Sequence, residues 1–262
     1  MNEKSDKADA KHDIEKFRWL DQHFGGLYLD EITKPLINEV ASLKRSEVTA
    51  ATVNRYLALI GSVLRAARDD WEWIPNIPRV RLLKEPSKRV RWLTKDEAHR
   101  LLAELPEHLA DMAAFTLATG MRRSNVTGLR WDAVDMERRT AWVHPDQSKS
   151  RRAIAVPLNA DAMHILEKLV GRHDTHVFTY RGNPIFQTST KAWYAALERA
   201  GIKNFRWHDL RHTWASWHIQ AGTTLQELME LGGWASYSMV LRYAHLASGQ
   251  LSSAANRISG FL

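Results

Sequence analysis

Apolar residues recur at helical spacing through the first third of the chain, where three amphipathic stripes follow one another. Such a period is typical of helices that bury one face. The third stripe follows Thr49, whose side chain is suited to open a helix. The stripes predict a small all-helical domain over residues 13–85, after a flexible N-terminus at residues 1–12. The stripe residues are Phe17, Leu20 and Phe24, then Ile37, Val40 and Leu43, then Val53, Tyr56, Leu57, Ile60, Leu64 and Ala67.

A basic segment broken by prolines follows this helical region. Pro75, Pro78 and Pro86 prevent a long helix here, because proline lacks the N–H donor and clashes with the preceding turn. We predict a basic interdomain linker at residues 86–91, which either lies in solvent or follows a DNA backbone. The basic residues of the segment are Arg79, Arg81, Lys84, Lys88, Arg89 and Arg91, against the acid Glu85.

The pattern changes within the second region, residues 92–262. Thr94 and Glu97 have the spacing of a capping box, and helices are predicted to about Ala118 and over 123–129. Short apolar segments then predict strands, so the whole chain is expected to be mainly α with a small antiparallel β-sheet, in the α+β class. The predicted strands are 140–144, 152–157 and 177–179, with a polar turn at 146–151, and the later helices are 188–200, 208–221, 224–231 and 236–246.

Composition and charge narrow the possible functions. The chain has 262 residues and a formal net charge of +7, which suits a nucleic-acid partner, although an ordinary basic surface stays open as an alternative. The absence of cysteine excludes disulfides, thiol catalysis and cysteine-bound metal. The charged N-terminus contains no secretory signal, and no apolar run is long enough for a membrane span. We therefore expect a cytoplasmic protein without a membrane partner.

Several basic residues of the second region fit the chemistry of phosphodiester cleavage. The phosphate oxygens need stabilisation, which the charged arginine fork provides, and the leaving oxygen needs a proton. Arg122 follows Thr119-Gly-Met at an apparent helix start, and Lys149 lies at the tip of the predicted hairpin. His208 and Arg211 are three residues apart and therefore share a helix face. Taken singly, each is more often an ordinary surface residue.

Trp234 and Tyr243 complete this set near the C-terminus. Gly232-Gly233 is expected to end the preceding helix and to free Trp234 to point into a cleft. A tyrosine nucleophile has an unperturbed pKa of about 10, and nearby arginines are expected to lower it. The alternative for both aromatic residues is a place in the hydrophobic core.

These elements occur in an order that closely resembles the tyrosine recombinase family, which includes the phage integrases and the Xer-type recombinases. The order is TGMR, a hairpin lysine, HDLRH, a glycine–tryptophan element and a tyrosine near the C-terminus. The resemblance covers residues 92–250 strongly, and TAATVNRYLALIGSVLRAA looks like part of the family's SAM-like core-binding domain. By position it implies catalytic roles for Arg122, Lys149, His208, Arg211, Trp234 and the nucleophile Tyr243.

The resemblance implies a site-specific DNA recombinase or phage integrase. The tyrosine of such an enzyme attacks DNA to form a 3′-phosphotyrosine and releases a 5′-hydroxyl, with Lys149 matching the general acid and with no metal, ATP or cofactor. The implied partners are a double-stranded recombination site, a homotetramer on two duplexes with a monomer in the free form, and accessory DNA-bending or directionality proteins. The tail with Ile258 and Phe261 is expected to dock onto a neighbouring protomer.

Departures from the family pattern and rival functions accompany this resemblance. Asn125 stands where many members have an acid, and Trp234 stands where most have histidine. The chain begins almost at the core-binding helices, so we expect a simple recombinase or a truncated chain without the arm-binding domain of many phage integrases. The rivals are a type IB topoisomerase or telomere resolvase, and a non-catalytic DNA-binding protein on a decayed integrase scaffold. A metal site at HDLRH is disfavoured, because the string lacks an HExxH-type glutamate.

Overall fold

The computed structural model describes residues 10–85, 90–144, 153–247, 255–256 and 259. The chain divides into two compact units, residues 1–88 and 89–262. Each unit is described separately below. The division falls inside the predicted linker, of which residues 86–89 lie outside the described ranges.

The described residues of the first unit form three α-helices, as the apolar stripes predict. They are α1 at Ala10–Phe24, α2 at Lys34–Glu47 and α3 at Ala50–Asp69, with a short 3-10 helix at Leu29–Glu31. The face of α3 with Val53, Leu57 and Leu64 lies against residues of α1 and α2 to form the core of this unit.

One stripe residue of α2 was assigned to the wrong face. Leu43 is 48% exposed, while the next residue, Lys44, is buried. The Lys44 ammonium lies 4.3 Å from the ring centre of Trp19 and 2.7 Å from a carboxylate oxygen of Glu47. A lysine can bury its aliphatic stem when its charge finds such partners, so this position takes the place that the pattern gave to leucine.

The proline-broken segment after α3 begins on the surface of the first unit. Asn54, which is buried on α3, holds the backbone of Leu83 on both sides. Its Nδ2 donates to the Leu83 carbonyl at 2.9 Å, and its Oδ1 accepts from the Leu83 N–H at 2.7 Å. Asn54 therefore anchors the chain to α3 shortly before the described residues of this unit end, beside the apolar contacts that Ile77, Val80 and Leu83 make with the core of the unit.

The second unit combines seven α-helices with short antiparallel strands in its described residues. Its fold class, mainly α with a small antiparallel sheet, agrees with the prediction. The helices are α4 Lys95–Glu104, α5 Glu107–Thr119, α6 Arg123–Thr127, α7 Ala160–Leu169, α8 Lys191–Arg199, α9 His208–Gln220 and α10 Leu225–Gly232, and 3-10 helices lie at Trp131–Ala133, Tyr237–Met239 and Leu241–Ala247.

The strands form a three-stranded sheet and a separate hairpin. β1 (Val134–Asp135), β2 (Thr140–Val143) and β3 (Ile154–Pro157) pair in that order, with Thr140 opposite Pro157 and Val143 opposite Ile154. The hairpin pairs β4 (Thr179–Tyr180) with β5 (Asn183–Pro184). The strands predicted at 140–144 and 152–157 are present with slightly shorter bounds, whereas β1 was not predicted. The predicted turn at 146–151 lies outside the described residues.

Three further elements of the second unit differ from the prediction. The helix α7 was not predicted, although Asn159 caps it by accepting from the Ala162 N–H at 2.9 Å. Of the strand predicted at 177–179, Val177 and Phe178 are buried in a bend, and only Thr179 lies in a strand. The single helix predicted at 236–246 is two 3-10 helices, Tyr237–Met239 and Leu241–Ala247.

The core of the second unit centres on α5, which packs against α7 and α9. Met112 and Phe115 of α5 are fully buried. One face of α9 therefore packs against α5, and polar residues lie on another face of the same helix. In the ranges that the structure describes, no helix has the length and apolarity needed to cross a bilayer.

Candidate active site

Helix α9 is fixed in rotation by hydrogen bonds to the segment just before α4. The Thr213 hydroxyl is fully buried, accepts from the Leu93 N–H at 3.1 Å and donates to the Asp209 carbonyl. The Trp217 Nε1–H donates to the Leu93 carbonyl at 2.9 Å. With this side of α9 held in place, His208, Arg211 and His212 project from the helix toward a common region.

Arg211 is almost fully buried and joins three segments of the chain. Its guanidinium donates one hydrogen bond to the Gly120 carbonyl at the end of α5 and another to the Gly232 carbonyl at the end of α10. The guanidinium carbon also lies 4.2 Å from the ring centre of Trp234. Burial, followed by the charge of Arg122, lowers the pKa of Arg211 to about 9, which still leaves it charged at neutral pH.

Arg122 lies beside this buried charge without being fully buried. It is the N-cap residue of α6, with extended backbone angles, and burial lowers the pKa of its guanidinium. Its charge lowers the pKa of both His208 and Arg211, which places the three groups in one electrostatic neighbourhood. The nearby buried carboxylate of Asp209 is paired with Arg206 at 3.2 Å. The cluster therefore keeps an excess of positive charge, as a phosphate site requires.

Trp234 belongs to a layered aromatic stack rather than to an open cleft. Its ring lies 6.0 Å from that of Trp214, at an interplanar angle of 26°. Gly232 and Gly120 make room for these two rings, because a Cβ on Gly232 would come within 1.9 Å of Trp234 and one on Gly120 within 2.3 Å of Trp214. The expectation that Trp234 points freely into a cleft was wrong, since the ring is partly buried between Trp214 and Arg211.

Tyr243 lies in the 3-10 helix Leu241–Ala247 and is 1% exposed. Its hydroxyl is 2.6 Å from Nδ1 of His212, and its ring centre is 6.0 Å from that of Trp234. Burial raises the pKa of Tyr243 to about 12, and the lowering effects of Arg211 and Arg242 are smaller. The arginines therefore lower this pKa as expected, but in the protein without DNA desolvation outweighs their attraction, so the pKa of Tyr243 lies above its ordinary value.

The two histidines of α9 differ in exposure and in their contacts. His208 keeps a surface open to solvent, and partial burial together with the charge of Arg211 lowers its pKa. His212 is more enclosed, and burial followed by the charge of His208 lowers its pKa to about 4. The rings meet edge to face with centres 5.0 Å apart. Both imidazoles are therefore neutral at neutral pH in the absence of a bound anion.

Five of the six predicted site residues come together in the second unit. Arg122, His208, Arg211, Trp234 and Tyr243 are linked by the contacts described above, while Lys149 lies outside the described residues. Asn125 is buried, and its Oδ1 accepts a long hydrogen bond of 3.4 Å from the Ser124 hydroxyl.

His212 is the contact residue that sequence reasoning did not assign to the site. The signal was available, because His212 is four residues after His208 and such residues are neighbours on a helix surface. In the sequence, His212 enters only as a ligand of the disfavoured metal site at HDLRH, and its hydrogen bond to a tyrosine 31 positions later leaves no local signal.

Comparison with known proteins assigns this arrangement to a family. The profile described as "Phage integrase family" matches residues 91–250. The integrase of Salmonella phage P22 is 38% identical over an alignment that covers 98% of this chain and 77% of the relative. A shufflon-specific DNA recombinase of Escherichia coli is 31% identical and covers 86% of this chain and 61% of the relative. The chain belongs to the phage integrase family of tyrosine recombinases.

Solved structures of integrases share the fold. The Tn1549 transposon integrase in complex with a circular intermediate DNA has a TM-score of 0.78 at 17% identity, over 95% of both chains. The lambda integrase tetramer bound to a Holliday junction has a TM-score of 0.73 at 21% identity, over 90% of this chain and 72% of that one. The likeness confirms the predicted fold class.

Proposed function

We propose that this protein is a site-specific DNA recombinase in which Tyr243 attacks a DNA phosphate and becomes linked to its 3′ side. The observation that carries the proposal is the meeting of two arginines and a histidine at a buried tyrosine in one small region of the second unit. A phosphoryl-transfer site without metal needs positive charge at the non-bridging oxygens and a nucleophile in line with the leaving oxygen.

The arginines suit the binding of a scissile phosphate for different reasons. Arg122 has no carboxylate among its described partners and remains partly open, so its fork is available to a phosphate oxygen. Arg211 is held in place by two carbonyl oxygens and by Trp234, so it offers a fixed charge. His208, at the exposed end of the cluster, donates to a phosphate oxygen once the anion raises its pKa.

The remaining steps are proposed from the likeness to the phage integrase family. Lys149 supplies the proton to the leaving 5′-oxygen, and the 5′-hydroxyl of a partner strand later attacks the phosphotyrosine in reverse. The bond energy is kept in the phosphotyrosine, so the reaction needs neither metal nor ATP. Because a related lambda integrase is a tetramer bound to a Holliday junction, we propose a homotetramer on two duplexes here.

Domain roles complete the proposal. Residues 13–85 form the core-binding domain, residues 86–91 the basic linker, and residues 92–262 the catalytic domain. The net charge of +7 supports a duplex DNA partner. Since the relatives come from phages and bacteria, the reaction takes place in the bacterial cytoplasm, and accessory DNA-bending or directionality proteins set its direction.

Trapping the covalent intermediate tests the proposed function. Nicked duplexes are tiled across the DNA that flanks the coding region, so that cleavage near the nick releases a short fragment and prevents religation. We expect a protein–DNA adduct that survives denaturation with the wild type, is absent with Tyr243→Phe and is unchanged by a chelator. Tyr237→Phe, at an exposed position of the neighbouring 3-10 helix, is the matched control. An adduct that persists with Tyr243→Phe would exclude Tyr243 as the nucleophile.

A further inference from the structure

We propose that His212 is the general base for Tyr243, taking the proton of the tyrosine hydroxyl as the bond to phosphorus forms. The inference rests on the proposed function, because it assumes that Tyr243 is the nucleophile. The removal of this proton is a task that the family resemblance assigns to none of the six predicted site residues.

The first support is the geometry of the contact. His212 Nδ1 is 2.6 Å from the Tyr243 hydroxyl, within the range in which a general base takes a proton directly. With the hydrogen of the neutral ring on Nε2, Nδ1 accepts from the phenol O–H. The ring centres of the two residues are 5.9 Å apart at 48°, so the contact is a hydrogen bond at the ring edges rather than a stack.

The second support is the rigidity of the base. His212 is on α9 directly before Thr213, whose hydroxyl is fixed between Leu93 and Asp209. It also directly follows Arg211, which is held by the carbonyls of Gly120 and Gly232. A general base contributes most when its acceptor atom is already aimed at the proton, and both neighbours of His212 in the sequence are fixed.

The third support is the division of labour between the two histidines. His208 retains an open surface, while His212 is more enclosed and forms the described bond to the hydroxyl. An exposed imidazole beside Arg122 and Arg211 suits a phosphate oxygen, and an enclosed one on the tyrosine suits proton removal. In this proposal His208 contacts the phosphate and His212 removes the proton of the tyrosine, so neither histidine has both tasks.

The charges around His212 keep it ready to accept a proton. The titratable and charged groups that face it come from α9 and from the 3-10 helix Leu241–Ala247. Burial and the positive neighbours lower its pKa to about 4, so it is neutral at neutral pH. Because the pKa of Tyr243 is about 12, the proton stays on the phenol until attack begins. The facing groups are His208, Asp209, Arg211, Arg242 and Tyr243.

The proton balance closes in both directions. As the Tyr243 oxygen bonds to phosphorus, its proton passes to His212 Nδ1, and the bond from phosphorus to the 5′-oxygen breaks. The 5′-oxygen takes its proton from the general acid of the proposed function, Lys149. In the reverse step the attacking 5′-hydroxyl returns a proton to that lysine, and the imidazolium of His212 returns the proton to the departing Tyr243 oxygen.

Four variants of the full chain separate this role from others in single-turnover cleavage of the nicked duplex that yields the wild-type adduct. His212→Asn keeps an acceptor oxygen near the place of Nδ1 but is not basic, and His212→Leu removes both properties. His208→Asn tests the other histidine in the same way. His218→Asn is the matched control, since His218 lies on the same helix and its Nδ1 bonds to the Thr223 hydroxyl instead.

We expect both His212 variants to slow cleavage about 100-fold at neutral pH, the ordinary contribution of a general base, while DNA affinity stays within about twofold. The wild-type rate should change little between pH 6 and 8, because His212 is neutral throughout. The rate with His212→Asn should rise about tenfold per pH unit, because only the preformed phenolate attacks once the base is lost. A structural role alone does not produce this change of slope.

A second substrate distinguishes the base from the acid. A duplex with sulfur in place of the leaving 5′-oxygen departs without a proton, so it should restore cleavage by Lys149→Ala but not by His212→Asn. Restoration of the His212 variant would place its defect on the leaving group and overturn the assignment.

The remaining outcomes are equally decisive. If His212→Asn cleaves at the wild-type rate, the contact only orients the hydroxyl, and if His212→Leu is faster than the wild type, the contact restrains the tyrosine. If the change of slope appears with His208→Asn instead, His208 is the base. Each of these results overturns the inference while the wild-type adduct upholds the proposed function. A wild-type protein without any adduct defeats both.

Discussion

At the scale of single residues, the two site arginines differ in how much of the protein depends on them. Arg211 holds two backbone carbonyls from different helix ends and carries the ring of Trp234. Arg122 is the partly open N-cap residue of a short helix. Replacing Arg211, which bonds to the backbone and is proposed to bind the phosphate, should affect both stability and catalysis. Replacing Arg122, whose proposed contact is mainly with the phosphate, should affect catalysis alone.

Replacing each arginine with alanine should therefore give different results. Arg211→Ala leaves two buried carbonyls without donors, so we expect the free energy of unfolding to fall by about 2 kcal/mol or more. Arg122→Ala should change it by less than about 0.5 kcal/mol. Both should reduce adduct formation by more than about 100-fold while changing DNA affinity only a few-fold, since most phosphate contacts remain.

Denaturant titration, adduct formation and gel-shift assays measure these effects, with Arg138→Ala as the control at a highly exposed position. Equal losses of binding and cleavage in both variants would mean that the arginines only position the DNA backbone.

The residues of the candidate site could be proposed from sequence because their order along the chain is distinctive, but their environments could not. Tyr243 is one example, since its 1% exposure and raised pKa arise from neighbours that are distant in sequence. His212 is another, because a hydrogen bond between residues 31 apart depends on how the 3-10 helix packs on α9. Desolvation depends on that packing and leaves no local signal in the sequence.

At the scale of elements, the helices were predictable where one apolar face was long, and less so where the chain turns often. The stripes of α3 and the cap of α4 gave correct elements, and α7 shows a comparable pattern that was overlooked. The segment 236–246 forms 3-10 helices instead of one α-helix. Its backbone hydrogen bonds join residues three apart rather than four, such as the bond from the Tyr243 N–H to the Val240 carbonyl. Hydrogen bonds of this 3-10 type are less well aligned than those of an α-helix.

The end of α5 offers a test of how closely the elements fit. Gly120 has a φ of +65° and a Cβ there would lie 2.3 Å from Trp214, whereas Gly171 has a φ of +78° with nothing within 4 Å. Gly120→Ala should therefore lower the free energy of unfolding by about 1–3 kcal/mol more than Gly171→Ala, because only the former combines backbone strain with overpacking.

The same substitution should reduce cleavage. Trp214 stacks on Trp234, and Trp234 lies over Arg211. A shift of the Trp214 ring should therefore also move Trp234 and the guanidinium of Arg211. Thermal or denaturant unfolding and adduct formation provide the two readouts. Equal costs at Gly120 and Gly171 would show that the aromatic stack yields easily to the added methyl group.

At the scale of the whole molecule, the change from helical stripes to a mixed pattern indicated two regions, and the structure has two compact units with separate cores. The sequence does not show how far the segment after α3 stays attached to the first unit. Asn54 holds Leu83 through both its backbone groups, 29 positions away, and no pattern of polar residues predicts such a contact.

Asn54→Ala should weaken DNA binding without removing any positive charge. Without this anchor only the apolar contacts of Ile77, Val80 and Leu83 hold the segment to the first unit, so the connection between the two proposed DNA-binding units becomes looser and their effective concentration on one duplex falls. We expect DNA affinity to drop about two- to fivefold, with the slope of log affinity against log salt unchanged because the number of phosphate contacts is the same. Single-turnover cleavage of saturated DNA should stay near the wild-type rate.

Asn38→Ala, at an exposed position of α2, is the control for a lost asparagine. An unchanged affinity would mean that the anchor has no part in joining the two units on DNA, and a changed salt slope would mean that the substitution alters the contacts themselves.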